Sequence, residues 1–478
     1  MKTIQAALLL TSAALALTLT LNTTGTAGTA ATVAGAPPKI VPRGAPAVRT
    51  LDSADRTSRP DVVVAGNGTV TVAWSREDQV VARSRVDGSW RPRVVLGHGH
   101  SPRVGVDASG SLTVIWLRHL RGFGPQVMVA RRPVSTGAWT EPRAVSAPAP
   151  AVSSARGAYS PSIAVADVGA TVVSWLWNQE DSGAARVQAR FRPARGPWEP
   201  IATLSARDAR NPVSASDGSG QATVAYASAR ARPRAVTRTQ DGWGEPVRLG
   251  RHGVNAPQVA AGAGAEVVVT FAASIDQAYQ PQAVVRGPDG TWSDPVSLEA
   301  PAALTVLDPV VDVDAAGAAT AAWWRSDHSI AVATHERGAT WSGPEVVVPP
   351  GRRILARQPY LDLAVSPSGT ALLTWTHRVA GESWVSAALR VAGTWTTSRV
   401  VSATDQGCAA GEPDARAGTA VLAWRCRTDV GDLVQVAESR QSPPGGSASS
   451  DLSASQSGST WSVSARSRSN SSAARRSR

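Results

Sequence analysis

The residues able to do chemistry in this 478-residue chain are few and scattered. Of seven histidines, His98 and His100 stand one residue apart. Neutral imidazoles so spaced can ligate a metal, but no carboxylate or cysteine follows at ligand spacing, and no metal site is expected. Trp177, Glu180 and Asp181 fall close together, and Asp327 adjoins His328. His119, His377, Tyr159 and Tyr279 stand apart from these, with Trp384 near His377. Aromatic rings beside hydrogen-bonding groups suit a sugar or peptide ligand: the ring covers apolar surface and the polar groups set orientation. The chain has no Gly-x-Ser-x-Gly elbow, phosphate loop, dinucleotide-binding turn or His-Glu-x-x-His. No catalytic residue and no cofactor is therefore assigned.

The two cysteines, Cys408 and Cys426, lie nine residues either side of Ala417, the centre of an expected turn. Such positions face each other in an antiparallel hairpin, so a disulfide is expected rather than a nucleophile. The formal charge of +12 comes almost wholly from arginine, Lys2 and Lys39 being the only lysines. With abundant Ala, Val and Gly, this composition reflects a GC-rich, actinobacterial-type genome, and no nucleic-acid partner is inferred from it.

Lys2 and the apolar run Ala6–Leu21 read as a secretory signal, assigned to residues 1–31, with a linker over 32–45. The run is short for a membrane span and no second one follows, so a secreted, extracellular monomer is expected. Residues 441–478, rich in Ser and Arg, read as a disordered tail whose basic charge suits contact with an anionic envelope.

The elements that must position these residues show in a repeat over 46–440. A proline opens each of eight repeats: Pro60, Pro102, Pro161, Pro212, Pro257, Pro309, Pro359 and Pro413. A short alternating stretch (strand a) leads to a glycine turn, then to a β-branched run (strand b) ending in an aromatic. The aromatics are Trp74, Trp116, Trp175, Tyr226, Phe271, Trp323, Trp375 and Trp424, and six lie 14 residues after their proline. Strand c follows and ends in glycine then tryptophan, as in Gly88/Trp90 and Gly338/Trp341; a short strand d completes the repeat. Repeat 8 lacks strand d, whereas Pro46–Leu51 reads as an orphan strand d ahead of repeat 1. The economical reading is all-β: an eight-bladed β-propeller of four-stranded antiparallel blades, closed by the N-terminal strand, with seven blades as the alternative.

The glycine–tryptophan turn resembles the Asp-box, or BNR repeat, of sialidase-like propellers. The fullest copy is Thr334-His335-Glu336-Arg337-Gly338-Ala339-Thr340-Trp341, with Glu in the Asp position; Asp87-Gly88-Ser89-Trp90 is a shortened form. The resemblance implies a structural role for this turn, its aromatic packing between sheets. Sialidases also use an arginine triad, a Tyr/Glu nucleophile pair and an acidic residue, none of which can be placed on this sequence.

Up-and-down strand order puts turns a–b and c–d at one end and loops b–c and d–a at the other, the end where longer loops would carry function. The candidate residues named above map to that end. The reading is a secreted binding module for an extracellular glycan or protein, the alternative being a sialidase-like or other polysaccharide-active hydrolase or lyase.

Overall fold

A computed structural model describes residues 48–119, 123–148, 156–178, 185–251, 253, 256–264, 266–275, 278–300, 306–350, 360–379, 382–402, 407–429 and 431–440. The proposed signal peptide, linker and tail lie outside them, as do Glu180, Asp181 and His252. The described chain is β-structure throughout apart from one 3-10 turn, Ala229–Ala231. No helix is long and apolar enough to cross a membrane.

Repeats 1 to 6 each form an antiparallel sheet in the order a–b–c–d, and repeats 7 and 8 share one ten-stranded sheet, joined by a parallel bridge between Ser383 and Gly407. In repeat 2 strands a to d are His100–Val106, Leu112–Arg118, Gln126–Arg132 and Arg143–Ala144. Strand b is buried on both faces, which explains its near-continuous Val, Ile, Ala and aromatic content. All eight landmark aromatics are at most 1% exposed. Each Gly-Trp tryptophan is half-buried and packs on an apolar cluster, as Trp90, Trp139 and Trp341 do.

Every apolar cluster joins two successive repeats. One sets Val62, Val72 and Trp74 of repeat 1 against Val421, Ala423, Val434 and Val436 of repeat 8, with Leu51 between them. The orphan strand is Arg49–Ala54, shifted from the expected Pro46–Leu51, and it pairs antiparallel with strand c of repeat 8, Gly431–Arg440. Cys408 and Cys426 sit directly opposite each other in that sheet and are disulfide-bonded.

Polar contacts between repeats recur in the same way. Asp312 Oδ2 accepts the Val365 N–H of the next repeat (2.6 Å). Asp414 Oδ2 of repeat 8 accepts the Val64 N–H of repeat 1 (2.5 Å). Arg190 Nη1 donates to Val145 O in the preceding repeat (3.4 Å), and Arg83 Nη1 donates to Leu51 O (2.8 Å). Asp107 and Asp314, by contrast, cap their own a–b turns: Asp107 Oδ1 accepts from Ser111 N–H and Asp314 Oδ1 from Ala318 N–H, both at 2.8 Å.

The loop end is less uniform than its strand order suggested. Repeats 1 and 2 cross over through Gly99 alone. Its backbone runs against the Trp116 indole so closely that a Cβ there would come within 2.5 Å of Trp116 Cδ1 and 2.2 Å of Leu117 O. Only glycine fits this crossover.

Candidate functional site

The described residues among those singled out from sequence fall at the loop end of the strands but form no single group. His100 and His119 stack with ring centroids 4.9 Å apart, and burial, then the neighbouring imidazole, lowers the His100 pKa. His98 pairs with Asp78 at 3.3 Å, both largely exposed. His377 accepts the core Trp375 indole N–H at 2.5 Å and stacks on Trp384 at 5.2 Å, and burial pushes it down to about 4. It is thus a neutral partner for a core indole. Asp327 Oδ1 accepts from Ser329 N–H and Oγ at 2.9 and 2.6 Å, with His328 at φ 66° in the same turn. Burial would raise the Asp327 carboxyl, but the Ser329 bonds and Arg325 prevail and lower it. Trp177 packs on the apolar cluster between repeats 2 and 3. Tyr159 is half-buried, and Tyr279 stands exposed on a separate hairpin. Among the described residues no three His, Cys, Asp or Glu are grouped to hold a metal.

What the fold brings together are residues at the starts of the inner strands. One group comes from repeats 1, 2, 7 and 8: Arg59, Asp61, Arg103, Tyr360, Asp362 and Glu412. Arg103 forms an ion pair with Glu412. Asp61 Oδ1 accepts the Val62 N–H (3.0 Å) and Oδ2 the Val104 N–H of repeat 2 (2.7 Å). Arg59 Nε donates to Ala410 O (2.6 Å), and its guanidinium lies 3.8 Å from the Tyr360 ring centroid. Burial and the Glu412 charge push Asp61 well up and Asp362 up to about 8, against the pull of Arg103. A carboxyl raised as that of Asp362 is can hold or give a proton near neutral pH.

Beside this group a cleft of about 1050 Å³ opens between repeats 4 to 7, and Tyr360 and Leu361 line it. Its polar lining includes Asp208, Arg210, Asn211, Arg230, Gln258 and Asp308. Backbone strain concentrates here. Among the described residues twelve non-glycines have positive φ, and five of them line the cleft: Asp208, Asn211, Arg230, Ala231 and Asp308. Asn211 and Asp308 each precede the landmark proline at a β-bulge, as Ser101 and Ser160 do in repeats 2 and 3. A left-handed residue before proline is costly and lasts only where its surroundings enforce it; bulges re-aim side chains at a strand end.

None of the expected site residues is among the described residues that line the cleft. Sequence reasoning missed those that do, and missed Arg59, Asp61, Arg103, Asp362 and Glu412. The available signal was a charged or amide residue beside the landmark proline, where the alternating pattern otherwise wants an apolar one.

No protein-family model and no curated protein matches the chain. Among solved structures it is similar to an ulvan lyase of polysaccharide lyase family PL25 (12% identity over 81% of this chain and 95% of that one, TM-score 0.47). It is similar also to the BP39L lectin of Burkholderia pseudomallei (18% identity, 76% and 100%, TM-score 0.44). The Hadza microbial sialidase Hz136 matches at 14% identity over 59% and 65%, with TM-score 0.35. These likenesses concern β-rich architecture and carry no residue's role to this chain.

Proposed function

We propose that this is an extracellular glycan-binding protein whose ligand lies in the cleft between repeats 4 to 7. The observation that carries the reading is the make-up of that cleft: amide, carboxyl and guanidinium groups converge around a single aromatic, Tyr360, among the described lining residues. Sugars offer this combination of hydroxyl donors and acceptors with an apolar ring face. Backbone strain at Asp208, Arg230 and Ala231, which is not part of the recurring proline bulge, supports a site shaped for binding. The scaffold is an eight-bladed propeller closed by Arg49–Ala54. In support, repeat 8 meets repeat 1 through the same kinds of apolar, aspartate and arginine contacts that join the other repeats.

A second reading, a polysaccharide hydrolase or lyase, is favoured by one observation: Asp61, Asp362 and Glu412 lie beside Arg59 and Arg103 next to the cleft. A raised carboxyl would protonate a leaving oxygen while an ionised neighbour acts as base or nucleophile. One experiment addresses both readings. Wild type, Asn211→Ala/Gln258→Ala and Asp362→Asn are run on a glycan array and a fluorogenic glycoside panel. Binding without turnover, lost in the double variant and kept in Asp362→Asn, is expected. Turnover abolished by Asp362→Asn would establish the enzyme instead.

A further inference from the structure

We propose that Tyr360 is the platform on which an uncharged sugar ring stacks, with Arg59 bracing the phenol from behind. This rests on the glycan-binding reading and names the ligand class for its cleft. Tyr360 is 51% exposed, high for an aromatic that lines a concave site. Its backbone is fixed, because its carbonyl accepts the Thr376 N–H at 3.0 Å. The Arg59 guanidinium covers one face of the ring at 3.8 Å and is itself tied by Nε to Ala410 O at 2.6 Å. Arg59 is not among the described residues that line the cleft, and in the proposed arrangement it backs the ring while the ligand takes the opposite face. A ring held in this way loses little freedom when a ligand packs on it.

Charge decides the kind of sugar. Among the described lining residues Arg210 and Arg230 stand against Asp208 and Asp308, with no formal excess of either sign. That balance gives a uronate or a sulfated ring no advantage. The amides of Asn211 and Gln258 each supply a donor and an acceptor, which matches neutral hydroxyls. An electron-rich ring face opposite the sugar C–H groups completes the fit.

The test uses the full chain and calorimetric titration with cellotetraose, xylotetraose, mannotetraose, chitotetraose and tetragalacturonate. A neutral tetrasaccharide is expected to bind more tightly than tetragalacturonate. Tyr360→Ala should weaken it roughly tenfold or more, the cost of truncating a central aromatic anchor. Tyr360→Phe and Tyr360→Trp should stay within about twofold of wild type, because the ring and not the hydroxyl makes the contact. Thermal midpoints of all three variants check that folding is intact. Unchanged affinity in Tyr360→Ala, with loss in Asn211→Ala/Gln258→Ala, overturns the platform and leaves the binding cleft standing. A Tyr360→Phe loss as large as that of Tyr360→Ala, or tightest binding of tetragalacturonate, also overturns it. Wild type that binds none of the five overturns the glycan-binding reading itself.

Discussion

At the scale of the residue, the inner-strand carboxyls are the unusual feature. Aspartates drawn even partly out of water in a sheet protein are ordinarily paired with cations. Here Asp312 takes two backbone N–H groups, from Val313 at 2.9 Å and Val365 at 2.6 Å, and burial still pushes it up to about 7. Asp362 rises to about 8 and Asp414 is raised as well. The folded chain therefore holds these protons more tightly than the unfolded one, whose aspartates titrate near ~4. The stability this contributes is complete below that value and is lost as pH climbs through about 7 to 8. The thermal midpoint should fall between about pH 5 and about pH 9, and Asp312→Asn should flatten the decline around neutrality. Differential scanning calorimetry across that range checks the sign; a midpoint that climbs with pH contradicts it. These aspartates were visible in the sequence as charges in an alternating apolar strand. Their partners were not, since Val365 lies 53 residues from Asp312 and joins it only when two sheets meet.

At the scale of the element, strand a supplies many of the residues of the proposed site and strands b and c support it. Strand a begins at the loop end with a bulge in repeats 2, 3, 4 and 6, then runs beside strand b toward the glycine turn. The strand starts thereby place Arg103, Asn211 and Asp308 at the site end. Repeat 8 departs from the pattern: its inner strand is split into Gly407–Ala410 and Asp414–Arg416, and the Cys408–Cys426 bond ties the first piece to strand b. The bond closes a loop of 18 residues, for which chain entropy gives about 3 kcal/mol. Cys408→Ala/Cys426→Ala should lose about that much in a denaturant titration, with the inner strand of repeat 8 the first to exchange its amide protons. The pairing was legible because it depends only on symmetric spacing about one turn. The split of the strand was not, because Gly411 is fixed by Pro60 of repeat 1, whose carbonyl oxygen stands where a Cβ would go, 2.0 Å away.

At the scale of the whole molecule, Arg49–Ala54 ties the first residues of the described chain to the last. Leu51 is buried between repeats 8 and 1, and Asp52 Oδ2 accepts the indole N–H of Trp74 at 3.1 Å. A variant beginning at Asp55 would leave Gly431–Arg440 as an open strand edge and Trp74 with an unmet buried donor. It should melt at a lower temperature and associate on size-exclusion chromatography. A monomer with the wild-type midpoint would remove the support for a closed ring.

The sequence by itself determined the repeat, the four-strand unit, the buried indoles and the disulfide, because each depends on spacing within about fifty residues of chain and on side chains that must leave water. Only the tertiary structure brought together the residues of the proposed site. The cleft and the charged group beside it draw single residues from the starts of separate strands, Arg59 and Tyr360 standing 301 positions apart (360 − 59). Of the histidines and loop aromatics, His100 stacks on His119, His377 stacks on Trp384 and accepts from the core Trp375, and Trp177 packs on an apolar cluster. Convergence depends on how sheets are arranged about one another, and local sequence does not encode that arrangement.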